Sequence, residues 1–270
     1  MPETDEVFAG SMTEIYDGYL VPLIFEAFAK DLAERVAALS PKSVLETAAG
    51  TGVVTRALAP TLDPDGRYVV TDLNPPMLDL AVRRQEPDDR IAWRQADALD
   101  LPYEDDSFDA VCCQFGVMFF PDRVAGYVEA RRVLRPGGKF VFSVWDRIEE
   151  NEFAQVVTDT AAAVFPDDPP QFLPRMPYGY HDVALIRQEL NDAGFAQISI
   201  STLEETSYAP SPRHPAVAYC SGTPLRDEIK VRDAHLLDFV TDRATEDIAK
   251  RYGDGPVSAK IQAHVIMAVV

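Results

Sequence analysis

Three acidic residues stand at matching places in the sequence, each at the end of a segment that is predicted to be a strand. Glu46 lies in "SVLET", Asp72 in "VVTDL" and Asp97 in "IAWRQAD". A carboxylate can accept hydrogen bonds from an ammonium group, from paired hydroxyls or from an amino group. Because ligands of open α/β sheets bind beyond the carboxyl ends of the strands, we expect these three acids to face one crevice.

The turn after the first of these strands is rich in small residues. It reads "TAAGTG", and Gly50 and Gly52 can adopt a positive φ that lets a ligand approach the backbone. A dinucleotide-binding turn needs a G-x-G-x-x-G series, and either register here lacks glycine at one or two positions. Glu46 is also unfavourable beside a pyrophosphate and favourable beside an ammonium group. The turn therefore predicts a ligand without phosphate.

S-adenosylmethionine carries an ammonium, a sulfonium, a ribose and an adenine, and it has no phosphate. We predict that Glu46 binds its ammonium group and Asp72 its ribose hydroxyls. Asp97 is predicted to bind the adenine amino group, with the backbone amide of Ala98 directed at the ring. The alternatives are a solvated strand end for Glu46, a helix cap for Asp72 and a strand terminus for Asp97.

The elements that must position these acids alternate along residues 41–146. Apolar periodicity and turn residues predict a doubly wound α/β fold with a mainly parallel seven-stranded sheet and helical lid insertions. Predicted strands cover residues 43–47, 66–73, 91–97, 108–119, 139–145, 197–208 and 263–270. Predicted helices cover residues 23–39, a segment ending near 58, then 75–84, 122–134, 151–165, 182–195, 213–221 and 233–251.

The chain is predicted to be a single domain, residues 1–270, with two kinds of segment. A cofactor-binding core is expected at about 30–146, 183–206 and 263–270. A lid or substrate cap is expected at about 1–29, 147–182 and 207–260. The proline-rich stretch "PDDPPQFLPRMPYGY" supports the lid, because long loops of this kind usually border a binding site.

The composition disfavours several functional classes. Acidic residues outnumber basic ones by 44 to 25, for a formal charge of −19, so a nucleic-acid partner is not expected. The acidic N-terminus is not a signal peptide, and the longest apolar run, "VIMAVV", is too short to span a membrane. Three cysteines without metal-ligand spacing predict buried free thiols, no metal site and a cytoplasmic location.

Four motifs in order carry a family resemblance. The stretches "VLETAAGTG", "TDLNPPML", "ADALDLPYEDDSFDAVCCQFGVMFF" and "RRVLRPGGKFVFSVWD" resemble those of class I S-adenosylmethionine-dependent methyltransferases, closest to the ubiquinone/menaquinone-biosynthesis type (methyltransferase type 11-like). The resemblance covers about residues 41–146. It implies a Rossmann-like fold, S-adenosylmethionine as methyl donor and S-adenosylhomocysteine as product.

The resemblance also implies roles for particular residues. Gly50 and Ala48 would approach the methionine part, with Gly52 in the same turn. The remaining cofactor contacts would be Asp72 and Leu73 at the ribose and adenine, Asp97 and Ala98 at the adenine edge, and Gln114 beneath the cofactor.

Three positions are open to a second interpretation. Ala48 stands where the family often has glycine, so we expect it to avoid a positive φ. Met77 would contact adenine or pack in the core of its helix. Tyr16 would close on the sulfonium with its aromatic face, or would pack against the first helix.

The predicted function is methyl transfer to a small or medium organic acceptor by in-line displacement, driven mainly by positioning. A general base is needed only where the acceptor must lose a proton, and Tyr178, His181 and His214 are its candidates. The alternatives are an NAD(P)-dependent oxidoreductase and a non-catalytic protein that binds S-adenosylmethionine. Solvated loop side chains are the alternative for the two histidines.

Overall fold

The structure is a computed structural model that describes residues 11–270, and these residues form two compact units. The sheet unit contains Glu26–Val144, His181–Leu203 and Ala263–Val270. The helical unit contains residues 11–25, Trp145–Tyr180 and Glu204–Gln262. The sequence predicts that one set of segments binds the cofactor and that another set forms a lid or substrate cap. These two roles stay predictions.

A seven-stranded sheet with the order β3-β2-β1-β4-β5-β7-β6 organises the fold. The pairs β1–β2, β1–β4, β2–β3 and β4–β5 are parallel. The predicted doubly wound α/β fold is therefore confirmed. The strands are β1 (Ser43–Glu46), β2 (Arg67–Asp72), β3 (Ile91–Gln95), β4 (Phe108–Gln114), β5 (Leu134–Trp145), β6 (Gln197–Ala209) and β7 (Val257–Val269).

The strand order reverses direction between β1 and β4. Strands β2 and β3 lie to one side of β1, whereas β4 and β5 continue on the other side. Connections on opposite sides leave a crevice at the carboxyl ends of the two central strands, where ligands of such sheets bind. This reversal places the segments after Glu46 and after Gln114 beside each other, because β1 and β4 are paired.

Each helix of the sheet unit buries apolar side chains. The cluster around β1 includes Leu32 and Val36 of the first helix, Val54 and Leu58 of the next, and Tyr68 of β2. Buried apolar surface of this kind supplies most of the stability of a helix. The helices are α2 (Glu26–Ala37), α3 (Val53–Leu58), α4 (Pro75–Arg84), α5 (Arg123–Val133) and α8 (Val183–Asp192).

The helical unit begins with α1 (Ser11–Ile15) and a π-helix (Tyr16–Phe25) that contains Pro22. Its other helices are α6 (Glu152–Val164), α7 (Phe172–Arg175), α9 (Arg213–Gly222), α10 (Leu225–Arg232) and α11 (Leu237–Tyr252). Helix α11 packs against α6 and α9, and the π-helix packs against α9. Within residues 11–270, no helix combines the length and the apolar composition needed to cross a bilayer.

Several predicted element boundaries differ from the observed ones. Strand β4 ends at Gln114 and not at residue 119, because Val117–Phe119 form a 3-10 helix. Helix α10 was not predicted, because Leu225 and Ile229 are its only buried residues and form too narrow a stripe. Strand β7 begins at residue 257 and not at 263, although its first half alternates between buried and less buried positions.

Candidate cofactor site

The turn that follows β1 has a left-handed backbone at three positions. We call residues 47–52 the β1 turn. Within it, φ is +51° at Ala48, +58° at Gly50 and +78° at Gly52. The expectation that Ala48 avoids a positive φ is therefore wrong. Glycine adopts such a backbone freely, whereas alanine is strained by its Cβ, so tertiary packing must hold Ala48 in place.

Packing against the end of β4 holds Ala48. A Cβ on Gly116 would lie 2.5 Å from the Cβ of Ala48 and 2.7 Å from the Sγ of Cys113, so only glycine leaves room there. The neighbouring Phe115 also has a positive φ of +52°. Its ring packs edge to face against that of Phe28, with the ring centroids 5.5 Å apart. Two strained residues that are not glycine thus lie where the strand order reverses, a pattern typical of functional sites.

Glu46 is buried, with 1% of its surface exposed, so the alternative of a solvated strand end is wrong. Its Oε2 accepts a 2.7 Å hydrogen bond from the hydroxyl of Thr55 and another from the hydroxyl of Tyr68. Burial raises the pKa of this carboxyl to about 7, and the two hydroxyls partly offset that rise. Binding of the ammonium group by Glu46 stays a prediction.

Asp72 connects β2 with the β1 turn. Its Oδ2 accepts a 2.7 Å hydrogen bond from the amide of Gly50, and its Oδ1 accepts one of 2.7 Å from the amide of Asn74. It does not cap α4, whose N-cap is Asn74. Burial raises the pKa of Asp72, while these amides oppose the rise. Binding of the ribose hydroxyls by Asp72 stays a prediction.

Asp97 and Ala98 begin the segment after β3, which we call the β3 loop (residues 96–107). Asp97 is exposed and closes a compact turn, because its Oδ1 accepts from the amide of Leu99 at 2.9 Å and its carbonyl accepts from Asp100 at 3.2 Å. The amide of Ala96 donates to the carbonyl of Asp72 at 3.1 Å. The segment that carries the predicted adenine-binding residues is thus joined through Ala96 to the predicted ribose-binding residue.

The other predicted cofactor residues of the sheet unit lie at nearby strand ends. Leu73 follows β2 and is 46% exposed, which leaves its side chain available to a ligand. Gln114 is the last residue of β4 and is half-buried. Met77 is buried in α4, as the core alternative describes, and its contact with adenine stays a prediction.

Tyr16 and two of the catalytic candidates belong to the helical unit. The ring of Tyr16 lies 5.3 Å from that of Phe25, and its predicted contact with the sulfonium stays a prediction. Tyr178 is buried, with its hydroxyl 3.4 Å from that of Tyr219. His214 contacts the carbonyl of Tyr19 through Nε2 at 3.2 Å.

Burial also bears on the catalytic candidates. It raises the pKa of Tyr178 well above that of a free phenol, so its neutral form is favoured and it can donate a hydrogen bond. His181 belongs to the sheet unit, is half-buried and precedes Asp182, which caps α8 by accepting from the amide of Ala184 at 2.8 Å. The catalytic role of each candidate stays a prediction.

Sequence reasoning missed two supporting sets of residues. The first is Tyr68 and Thr55, which bind Glu46 from β2 and α3. The second is Glu129 and Arg132 of α5, which form hydrogen bonds with the backbone of Leu101 in the β3 loop. No pattern indicated the first set, whereas two opposite charges three residues apart near the end of a helix were a signal for the second.

Comparison with known proteins bears on this site. Residues 45–142 match the model of a protein family described as a methyltransferase domain. A demethylmenaquinone methyltransferase from Clavibacter sepedonicus is 43% identical over 107 residues, which are 39% of this chain and 42% of that protein. The chain thus matches less than half the length of this relative.

Solved structures share the fold over most of the chain. A proposed methyltransferase from Bacillus halodurans has a TM-score of 0.58 and 20% identity, covering 89% of this chain and 97% of that one. A [4+2]-cyclase has a TM-score of 0.51 and 18% identity, covering 88% of this chain and 80% of that one. At these identities the two structures are informative about the fold alone.

The family match, the order of the strands and the acids at their carboxyl ends agree on one class. Residues 45–142 resemble a methyltransferase domain, and the sheet that contains them has a Rossmann-like fold. The resemblance to the ubiquinone/menaquinone-biosynthesis type is confirmed by the demethylmenaquinone methyltransferase that it matches.

Proposed function

We propose that this protein transfers a methyl group from S-adenosylmethionine to a small organic acceptor of the quinone type. The observation that carries the proposal is the bond between Asp72 and the amide of Gly50. It joins the predicted ribose-binding acid to the left-handed turn where the strand order reverses. The residues predicted to bind the ribose and the methionine part are therefore joined by a direct hydrogen bond.

The positive charge of the cofactor suits the acidic side chains at this site. A sulfonium and an ammonium bring positive charge, and Asp72 and Glu46 supply buried carboxyls at the ends of adjacent strands. A pyrophosphate would bring negative charge beside the same acids, which disfavours the oxidoreductase alternative. Among residues 11–270 there is no group of three or more side chains that would hold a metal ion, and the proposed reaction assigns no step to one.

The proposed reaction is an in-line displacement at the methyl carbon. The nucleophilic atom of the acceptor forms a bond to this carbon, and the electron pair of the broken carbon–sulfur bond stays on sulfur to give S-adenosylhomocysteine. A carbon acceptor then loses a proton to a base. Orienting the two reactants contributes up to about 7–11 kcal/mol to such a step, so positioning is the main task of the protein.

The acceptor class is taken from the matched relative and from the helical unit. The relative is a demethylmenaquinone methyltransferase, and we extend a quinone-type acceptor from it to this chain. The helical unit contains a buried aromatic row in which Phe25 lies 5.9 Å from Trp145, and Trp145 lies 5.9 Å from Tyr178. Aromatic side chains pack favourably against planar groups, so we propose that the helical unit, which is rich in them, recognises the acceptor.

Radiolabel transfer tests this proposal. The full chain is incubated with S-adenosyl-[methyl-14C]methionine and a reduced naphthoquinone, and the extracted product is analysed by mass spectrometry. We expect one added methyl group and an equal amount of S-adenosylhomocysteine. The variant Asp72→Ala serves as the control with weakened cofactor binding. Absence of transfer to a broad panel of quinols and other small acceptors would contradict the proposal.

A second candidate is a cofactor-binding protein that does not transfer methyl groups. The [4+2]-cyclase has the same fold, so the fold by itself does not define methyl transfer. Saturable binding of S-adenosylhomocysteine with no transfer to any acceptor of the panel would favour this candidate.

A further inference from the structure

Helix α5 presents three residues to the β3 loop at a spacing of three. Gly126, Glu129 and Arg132 therefore share one face of the helix. A Cβ on Gly126 would lie 2.6 Å from the ring of Phe120, and at 3.6 Å it would be in ordinary van der Waals contact with the Cδ1 of Leu99 in the loop.

Arg132 uses all three of its nitrogens on this face. Its Nε and Nη2 each donate a 2.8 Å hydrogen bond to the carboxylate of Glu129. The Nη2 also donates to the carbonyl of Leu101 at 2.9 Å, and the Nη1 donates to the carbonyl of Tyr103 at 2.7 Å and to Asp105 at 2.9 Å. A planar guanidinium can satisfy these directions at once, whereas an ammonium cannot.

Glu129 holds the same loop from the acceptor side. Its Oε2 accepts a 2.9 Å hydrogen bond from the amide of Leu101, whose carbonyl is bound by Arg132. Hydrogen bonds from Arg132 lower the pKa of Glu129, so its carboxylate stays charged at neutral pH. Both sides of the Leu101 backbone are therefore fixed by one ion pair, which we call the α5 clamp (Glu129 and Arg132).

Leu101 lies directly after the compact turn closed by Asp97. The other end of this turn is fixed where Ala96 donates to the carbonyl of Asp72. Only residues 97–100 lie between these two anchors, and Leu99 and Asp100 donate to Asp97, so we expect a shift of Leu101 to be transmitted to Asp97 and Ala98. None of the hydrogen bonds described for residues 11–270 joins the α5 clamp to Asp97 or Ala98.

We propose that the α5 clamp is a positioning device that sets how strictly this protein distinguishes adenine from other purines. The inference rests on the proposed function, because it requires that Asp97 and Ala98 bind the adenine edge. Asp97 would accept from the amino group of adenine, and its carboxylate would oppose the oxo group that replaces this amino group in hypoxanthine. Discrimination then depends on where the clamp holds the loop.

Binding titrations with two ligands test the inference. The probes are S-adenosylhomocysteine and S-inosylhomocysteine, which differ at the amino group of the base. We expect the wild-type chain to prefer the first by about 10-fold or more, as for one lost hydrogen bond and an opposed carboxylate. In Arg132→Lys and Glu129→Gln, we expect the preference to fall to about 3-fold or less, mainly through weaker binding of S-adenosylhomocysteine.

The adjacent Arg131 gives a matched control. Its Nε donates to the carbonyl of Gly194 at 3.1 Å and makes no bond to the β3 loop among those described. Arg131→Lys should keep the wild-type preference. Urea denaturation establishes that each variant is folded, and Glu129→Gln decides the question if Arg132→Lys does not fold.

The outcomes separate the inference from the proposed function. An unchanged preference in both clamp variants, or equal weakening of both ligands, would overturn the inference. A wild-type chain that binds the two ligands equally would also overturn it and leave the proposed function in place. A wild-type chain that binds neither ligand would contradict the proposed function and the inference with it.

Discussion

The β1 turn and the β3 loop are predicted to hold opposite ends of one cofactor, and they are built in different ways. The β1 turn has strained backbone at Ala48, is packed against Gly116 and is preceded by the buried Glu46. The β3 loop is exposed at Asp97 and is held from behind by the charged α5 clamp.

Because of this difference, we expect the β1 turn to determine the affinity for the cofactor and the β3 loop to determine the selectivity for its base. Close packing makes the β1 turn intolerant of added atoms, because interiors relax only partly around an inserted group. A loop that is fixed by surface ion pairs can be moved by a change on another element. We therefore expect substitutions at the β1 turn to affect stability and binding together, whereas changes at the clamp alter the preference for the base.

The largest effect is expected from Gly116→Ala. The added Cβ would lie 2.5 Å from Ala48 and 2.7 Å from the Sγ of Cys113, and neither neighbour is a flexible chain end. We expect a loss of about 3 kcal/mol in the free energy of unfolding. Urea denaturation measures this loss, and titration with S-adenosylhomocysteine should show that binding is also lost.

Two further variants sharpen this prediction. Gly255→Ala is the control, since a Cβ there meets no atom within 4 Å. Ala48→Gly relieves its own positive φ and removes one of the two close contacts, so the double variant Ala48→Gly/Gly116→Ala should recover about 1 kcal/mol. If Gly116→Ala is as stable as the control, the turn is not packed as described.

A second effect, of similar size, is expected from Glu46→Gln, and it depends on pH. The pKa of Glu46 is raised from 4.5 to about 7, so the folded chain holds this proton more tightly than the unfolded chain. Wild-type stability therefore falls as the pH rises from about 4.5 to 7 and levels off above it. The neutral variant escapes this loss, and its stability relative to wild type should rise by about 3 kcal/mol between pH 4 and pH 8.

Urea denaturation at the two pH values measures this change. Glu104→Gln, at an exposed position of the β3 loop, should show little difference between them. If the stability of Glu46→Gln relative to wild type is the same at both pH values, ionising Glu46 does not destabilise the folded chain, which contradicts the prediction. The same variant should bind S-adenosylhomocysteine more weakly if the carboxylate holds the ammonium group.

The smallest effect of the three is expected from Asp72→Ala, where the two regions meet. Its carboxylate binds the amide of Gly50, and its carbonyl binds the amide of Ala96. Loss of charged hydrogen bonds to the ribose should weaken cofactor binding by on the order of 1–3 kcal/mol. Isothermal titration with S-adenosylhomocysteine measures this, with exposed Asp79→Ala of α4 as control. An affinity equal to that of wild type would mean that the ribose is bound elsewhere.

The fold of the sheet unit could be predicted because its signals are local. The proline pair that opens α4 and the polar turn that ends it gave the observed bounds, Pro75–Arg84. The helical unit was harder to predict, because α10 has a narrow apolar stripe and the π-helix does not follow the helical period of 3.6 residues.

The site could be predicted in part for the same reason. The positions of Glu46, Asp72 and Asp97 follow from the strand pattern, whereas their hydrogen-bond partners depend on tertiary packing. The backbone of Ala48 illustrates the limit of local reasoning. Alanine alone favours a negative φ, and contact with Gly116, far away in the sequence, reverses that preference.

One measurement tests the central claim most directly, namely a thermal-shift titration of the wild-type chain with S-adenosylhomocysteine and, separately, with NAD. A ligand at 100 times its Kd stabilises the folded state by about 2.7 kcal/mol, which is a measurable rise in Tm. We predict a saturable rise with S-adenosylhomocysteine and none with NAD. A rise with NAD alone would contradict the account of a methyltransferase cofactor site.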